Sequence, residues 1–256
     1  MRTIALVPVF NEAPNIINVL TELENLVDEI LIVNDGSWDQ TEKLIMDWFA
    51  RGHGGRLLSL NRNRGHSAAL LSGYAFIDLR LHAKTLVEND VVVTIDADGQ
   101  HRPADIPPLL DYLIEHDLDA VRPRRSLAKY TRYKRAGNRF VSRVLSIMAG
   151  QRLADAMSGF CVQKAGTVVP VLEYVTGWRY SIPGEIAVIL ARLGYRSSDE
   201  PVVEIPYFRS HTRLRDVAIN LALGLAALVR VEFRLRSNRH RSLQAIRHVA
   251  SERRAA

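Results

Sequence analysis

The sequence predicts an α/β protein: a mostly parallel sheet covered by helices, with a basic helical appendage at the C-terminal end. Three observations predict this. Short apolar runs alternate with segments of helical period from residue 3 to residue 121. Several of those runs stop abruptly at polar residues, as strands buried on both faces and ending at a ligand edge do. The chain has 256 residues, 47% of them hydrophobic, enough to bury one large core.

The elements follow in order. Residues 3–9 read as a buried strand and 14–26 as a helix. Residues 29–34 are a second strand, broken by Asp35-Gly36-Ser37. An amphipathic helix over 41–51 ends before the turn His53-Gly54-Gly55, and 56–61 form a third strand. A helix over 68–81 leads to a fourth strand at 91–96, then a helix near 104–116 and a short strand at 119–121. Repeated β–α units with short connections argue for a parallel, doubly covered sheet. Beyond Pro123 the order loosens. Arg122, Arg124, Arg125, Lys129, Arg132, Lys134 and Arg135 read as a basic loop ahead of a helix at 138–148. Residues 158–163 read as a strand, 184–193 as a helix and 202–205 as a strand stopped by Pro206. A last helix spans 215–236, with an apolar middle at 217–229 interrupted by Asn220. The expected division is a catalytic domain at 1–212 and a basic tail at 213–256.

The net charge of +6 is unevenly placed. Residues 209–256 hold 11 Arg and 3 acidic residues, so the tail carries +8 and the remainder −2. Such a tail suits an anionic membrane, an anionic substrate or nucleic acid. It lacks the aromatic residues interleaved among bases-contacting cations in single-strand binding platforms, which argues against nucleic acid. The single cysteine, Cys161, excludes an internal disulfide and fits a reducing cytosol. No basic region followed by a long apolar stretch opens the chain, so no signal peptide is expected.

The most informative segment is the fourth strand's end. Val91-Val92-Val93-Thr94-Ile95 runs into Asp96-Ala97-Asp98, with Gln100 close behind. In open α/β sheets ligands lie beyond the carboxyl ends of the strands. Two carboxylates and an amide oxygen there form a hard oxygen set suited to Mg²⁺ or Mn²⁺, which take few carboxylates and share phosphate oxygens with substrate. Capping of the next helix would need only one of them. The first strand ends in Pro8-Val9-Phe10-Asn11-Glu12 and the second in Val33-Asn34-Asp35-Gly36-Ser37. Each alone is an ordinary turn or cap sequence; three polar strand ends on one edge point to a nucleotide–metal site.

These pieces resemble the family-2 glycosyltransferases of the GT-A fold, in family order and spacing over residues 3–214. The matching segments are Pro8-Val9-Phe10-Asn11-Glu12, Asn34-Asp35-Gly36-Ser37, Asn63-Arg64-Gly65 with Ala68-Ala69, and Asp96-Ala97-Asp98. Asp96-Ala97-Asp98-Gly99-Gln100-His101 with Pro103, and Asp155-Ala156-Met157-Ser158-Gly159-Phe160, resemble the polyprenyl-phosphate (dolichyl-phosphate) mannosyl- and glucosyltransferase branch. The resemblance implies that Pro8, Phe10, Glu12, Val33 and Asp35 hold the nucleoside. It implies that Asp96, Ala97, Asp98 and Gln100 surround the metal and diphosphate, with Asp96, Asp98 and Gln100 as metal ligands. Arg125 resembles the arginine facing the diphosphate or acceptor phosphate, and Arg124 aligns equally well. Arg135 and Arg139 lie where that branch keeps residues for the lipid phosphate. The family's Arg-x-x-Gly-x-Ser-Lys-Leu appears here as Tyr207-Phe208-Arg209-Ser210-His211-Thr212-Arg213-Leu214, with Arg213 at the lysine position and Arg209 standing near the missing arginine.

The activity expected is inverting transfer of a sugar from GDP-mannose or a UDP-hexose to a polyprenyl phosphate, on the cytoplasmic face of a membrane. A phosphate acceptor is already anionic and needs positioning by arginines rather than a base. A soluble or glycan hydroxyl acceptor would need one, and Asp155 or Glu185 would have to supply it. A third reading, a basic binding module on a dead transferase fold, is disfavoured by the intact acids at 96 and 98. The tail's apolar helix with arginine shoulders, too short to span a bilayer, suits a membrane interface or a second copy of the chain.

Overall fold

The computed structural model describes residues 1–126, 130–204 and 214–255, and in the last helix the side chains of residues 217–237. Arg209 and Arg213 therefore lie outside the described residues, as does Lys129. A seven-stranded sheet has the order β3-β2-β1-β4-β7-β5-β8. Its first four strands are β1 (Thr3–Val9), β2 (Glu29–Asn34), β3 (Arg56–Ser59) and β4 (Val91–Thr94), all parallel. β1 lies between β2 and β4, and all seven of its residues are buried.

Alternation along β1 splits the core into two layers. Ala5, Val7 and Val9 face α1 (Ile16–Glu24), α2 (Thr41–Ala50) and α4 (Ile106–Glu115). Ile4 and Leu6 face α3 (His66–His82), α6 (Val168–Tyr174) and α7 (Ile182–Arg192) on the opposite side. Two covered faces are why these strands tolerate continuous apolar runs.

Past β4 the pattern changes. β5 (Ala120–Val121) is parallel to β8 (Ser197–Ser198), but β7 (Cys161–Lys164) runs antiparallel to both β4 and β5. The segment before β7 thus arrives at the edge where β4 leaves. A separate parallel pair joins β6 (Arg124–Arg125) to β9 (Val202–Val203).

Helix α5 (Arg132–Ala149) begins six residues before the expected start. Thr131 caps it by accepting the Lys134 N–H, and Gly150 closes it in the left-handed conformation. Arg132, Lys134 and Arg135 therefore stand on a helix rather than in a loop. Helix α8 (Leu214–Ala255) is longer than expected. Ala227 and Val231 are fully buried among α6 and α7, so its first half is packed into the core side of the molecule.

Candidate active site

Because β1, β2 and β4 are parallel, the three polar strand ends meet at one sheet edge. Two of them are zipped together. The Asn11 N–H donates to Ser37 Oγ (3.0 Å), and Asn11 Oδ1 accepts the Trp38 N–H (3.0 Å). Gly36 passes so close to the Arg62 backbone that an added Cβ would stand 2.5 Å from its carbonyl carbon. Asp35 is 2% exposed, and its two oxygens accept the N–H groups of Arg64 (2.8 Å) and Gly65 (2.7 Å). In this structure Asp35 braces the 62–65 loop. Pro8 is buried, and Val33 (0% exposed) and Ala97 (2%) are core side chains, so Val33 and Ala97 border the site through their backbone. Phe10 and Glu12 are half-buried at the same edge.

Asp96 stands between two imidazoles. His66 Nε2–H donates to Oδ1 (3.0 Å), and His101 Nδ1 accepts the Asp96 N–H (3.2 Å) while lying 3.5 Å from Oδ2. Burial favours the neutral carboxyl, but His101, His66 and Arg125 override it and hold Asp96 well below the usual carboxylate range. His101 is pushed down by burial, in keeping with an acceptor nitrogen, and stacks on Phe160 at 5.2 Å. Burial opposes the charge on His66 too, yet the bond to Asp96 raises its pKa. Gly159 admits this packing, since a Cβ there would lie 3.2 Å from Asp96 Oδ2.

Asp98 is arranged differently. Its oxygens accept the backbone N–H (2.9 Å) and the side-chain amide (2.7 Å) of Gln100. Gln100 thus orients Asp98 before it can serve as a ligand of its own. Burial first, then the Asp96 charge, raise the Asp98 pKa. Glu12 is raised as well, by burial and then by Asp98, Asp39 and Asp96. Acids that raise one another are a site short of positive charge. Among the described residues no group of three or more His, Cys, Asp or Glu forms a closed metal cage. Asp96 and Asp98, with the Gln100 amide beside them, are the oxygen donors that would hold Mg²⁺ or Mn²⁺, leaving the rest of the shell to water and ligand.

Facing this edge is the pair Arg125–Asp155. Arg125 donates from Nε (2.7 Å) and Nη2 (2.9 Å) to the two oxygens of Asp155, which is 2% exposed. Asn138 on α5 adds a bond to Asp155 Oδ1 (3.3 Å). Burial raises Asp155, but Arg125 more than offsets it and the carboxyl lies below its ordinary range. The charge of Asp96 also favours the protonated form of Arg125. Arg124 and Arg139 are exposed and Arg135 is half-buried. Glu185, the other candidate base, is 0% exposed and spent on the 176–181 loop. Sequence reasoning missed His66 and Asn138. Each depends on a partner far along the chain, and the only local sign was the position of His66 directly after Asn63-Arg64-Gly65.

A parallel sheet with nucleotide-type strand ends, an acid pair at β4 and a reversed β7 is the architecture of the GT-A glycosyltransferases. The chain belongs to glycosyl transferase family 2, whose model matches residues 4–174. It is 31% identical over 78% of its length to a protein of Methanocaldococcus jannaschii of uncharacterised function, covering 86% of that protein. It is 24% identical over 85% of its length to the UDP-N-acetylglucosamine–dolichyl-phosphate N-acetylglucosaminyltransferase of Methanococcus voltae, covering 91% of that enzyme. Against the undecaprenyl-phosphate 4-deoxy-4-formamido-L-arabinose transferase of Aeromonas hydrophila it is 26% identical over 65% of its length, but spans only 53% of that protein. Glucosyl-3-phosphoglycerate synthase of Mycobacterium tuberculosis shares the fold, with a TM-score of 0.63 at 21% identity, over 90% of this chain and 80% of that one. The same enzyme has been crystallised with Mn²⁺, UDP and glucosyl-3-phosphoglycerate (TM-score 0.61, 19% identity).

Proposed function

We propose that this protein is a metal-dependent glycosyltransferase that moves a sugar from a nucleotide-sugar, GDP-mannose or a UDP-hexose, to a polyprenyl phosphate, with inversion at the anomeric carbon. One observation carries the choice of acceptor: both carboxylates named as bases for a hydroxyl acceptor are already committed. Asp155 is locked to Arg125 and held ionised, and Glu185 is buried against loop amides. A hydroxyl acceptor needs its proton removed; a phosphate does not. Names of two relatives, a dolichyl-phosphate and an undecaprenyl-phosphate transferase, support the same acceptor class.

In this reading the nucleoside lies along the ends of β1 and β2, near Phe10 and Glu12, on the loop that Asp35 braces. The ion held by Asp96 and Asp98 would act as a Lewis acid and template for the departing diphosphate. Asp96 is kept ionised by the bond from His66 and the charge of Arg125, and Gln100 aims Asp98. The acceptor phosphate oxygen attacks the anomeric carbon as the bond to the diphosphate oxygen breaks, and the electron pair leaves on the nucleoside diphosphate. Arg125, Arg124, Arg135 and Arg139, joined by Arg209 and Arg213, are the cations assigned to phosphate oxygens, each able to present several donors.

Such an acceptor stays in a bilayer, and α5 and α8 supply a surface for one. The outward side of α8 carries Ala218, Ala222, Leu225, Val229 and Phe233, the last 75% exposed. The outward side of α5 mixes Phe140 and Ile147 with Arg132, Arg139 and Arg143. Among the described residues no helix is long and apolar enough to cross a membrane. Apolar side chains between arginines favour peripheral docking on an anionic, cytoplasmic leaflet; self-association through α8 is the competing use of the same stripe.

The test is direct. Purified protein with Mn²⁺ is given labelled GDP-mannose, UDP-glucose and UDP-N-acetylglucosamine, each with undecaprenyl phosphate, free undecaprenol or 3-phosphoglycerate. Transfer to the lipid phosphate alone is expected. Equal transfer to free undecaprenol or to phosphoglycerate would reject the lipid-phosphate acceptor. Flotation with phosphatidylglycerol vesicles, lost when the exposed Leu225, Val229 and Phe233 are replaced by glutamate, is expected of the docking surface.

A further inference from the structure

The loop joining α6 to α7 belongs to none of the motifs that define the site, yet it is built with unusual care. Buried Glu185 gathers it from beneath, accepting the N–H groups of Thr176 (2.7 Å) and Gly177 (3.1 Å) and the Ser181 hydroxyl (2.5 Å). From the tail, Arg230 on α8 places Nη2 3.6 Å from the same carboxylate. Two residues take the left-handed conformation, Gly177 (φ 66°) and Arg179 (φ 54°). The second is uncommon for a side chain of that size and persists where the surroundings over-determine it. Those surroundings are on α3: the Arg179 carbonyl accepts both the N–H (3.0 Å) and the hydroxyl (2.7 Å) of Ser67. Ser67 is the neighbour of His66, the residue bonded to Asp96.

So held, the loop leaves two aromatic rings half-exposed, one of them beside the histidine that bonds Asp96. Trp178 is 48% exposed and Tyr180 41%, and the Tyr180 ring centre lies 6.0 Å from that of His66. A braced loop that leaves a large ring half in water beside polar strand ends exposes apolar surface for something other than the core. A pyranose fits what is offered: its C–H faces match an aromatic ring, and its hydroxyls match a phenol.

We infer that Tyr180 contacts the transferred sugar and that residues 176–181 form the wall of the sugar pocket, with Glu185 and Arg230 as positioning residues for that wall. This rests on the reading of the protein as a nucleotide-sugar transferase. The nucleoside is assigned to the ends of β1 and β2 and Tyr180 to the sugar, so ligands with and without the sugar test the two contacts separately.

The experiment is calorimetric titration with Mn²⁺ of UDP, UDP-glucose, GDP and GDP-mannose into the full chain and its variants. For the base that binds, Tyr180→Ala should weaken the nucleotide-sugar at least fivefold and leave the nucleoside diphosphate within twofold. Tyr180→Phe, which keeps the ring, should hold nucleotide-sugar affinity within threefold. In turnover, Tyr180→Ala should lower kcat/KM at least tenfold. If Tyr180→Ala does not fold, Tyr180→Leu carries the same comparison. Equal weakening of both ligands, or no change in either affinity or turnover, overturns the wall. Failure of the unaltered protein to bind any of the four ligands would instead overturn the transferase reading, and the wall with it.

Discussion

The two sides of the cleft handle charge in opposite ways. On the β1–β2–β4 side, Glu12 and Asp98 crowd toward Asp96, and burial and like charge raise both of their pKa values. On the β6–α5 side, the buried carboxylate of Asp155 is matched by Arg125 and Asn138 and lies low. The first side is poised for a cation and a diphosphate to complete it. On the second, Asp155 already has its counter-charge and holds Arg125 in place for the phosphate oxygens assigned to it. A site that must assemble on binding is kept electrostatically unsatisfied; a scaffold is not.

The strongest way to break this contrast is Asp98→Asn. Removing one carboxylate from the unsatisfied side should cut transfer at least a hundredfold while leaving the melting temperature unchanged or higher, since a like-charge contact is relieved. Near-normal turnover, or full turnover in excess chelator, would show that the acids do not hold an ion. The matching change on the other side is Arg125→Ala. It strands a buried carboxylate, so urea denaturation should show a loss of about 3 kcal/mol. A stability loss within error would mean that Asp155 does not rely on Arg125 as its counter-charge.

Arg135→Ala sharpens the comparison by probing the acceptor side without touching the buried pair. The acceptor KM should rise about tenfold, the loss expected for one hydrogen bond to a charged group, with nucleotide affinity unchanged. A parallel loss of nucleotide affinity would place Arg135 on the donor instead. The smallest effect is in acid. Because the folded pKa of Asp155 is depressed, its contribution is present above the ordinary carboxylate pKa of about 4 and is lost as pH falls through the folded value. Stability measured from pH 5 downward should therefore fall more steeply in the unaltered protein than in Arg125→Met. Superimposable curves would remove Arg125 as the cause.

The same division governs what could be read from the amino acids. Strands β1 and β2 were legible to the residue, at 3–9 and 29–34, because both faces are covered and the polar ends are abrupt. The acid pair was legible for the same reason, although β4 itself stops at Thr94. Beyond Pro123 local signals weakened. The first turns of α5 looked like a loop because cations crowd them, whereas Thr131 and the buried stripe Val141, Ser142, Leu145 decide the helix. The direction of β7 had no local mark, being set by pairing with β4 and β5. His66 looked isolated because Asp96 comes within reach only once α3 packs against the sheet. Val33 and Ala97 show the opposite limit: alignment put them at the ligand, and burial leaves them only their backbone.

The reversed β7 has a consequence for how the chain is made. β4 is a Val-Val-Val-Thr strand, and β7, its neighbour on one side, lies beyond α4, β5, β6 and α5 in the chain. During synthesis β1 to β4 can pair as soon as they emerge, but that edge of β4 stays uncapped until Cys161–Lys164 arrives. An open apolar edge strand templates pairing with other chains. A nascent chain stalled before residue 161 is therefore the species most prone to aggregate, and a chaperone engaging this protein has most to protect in that interval.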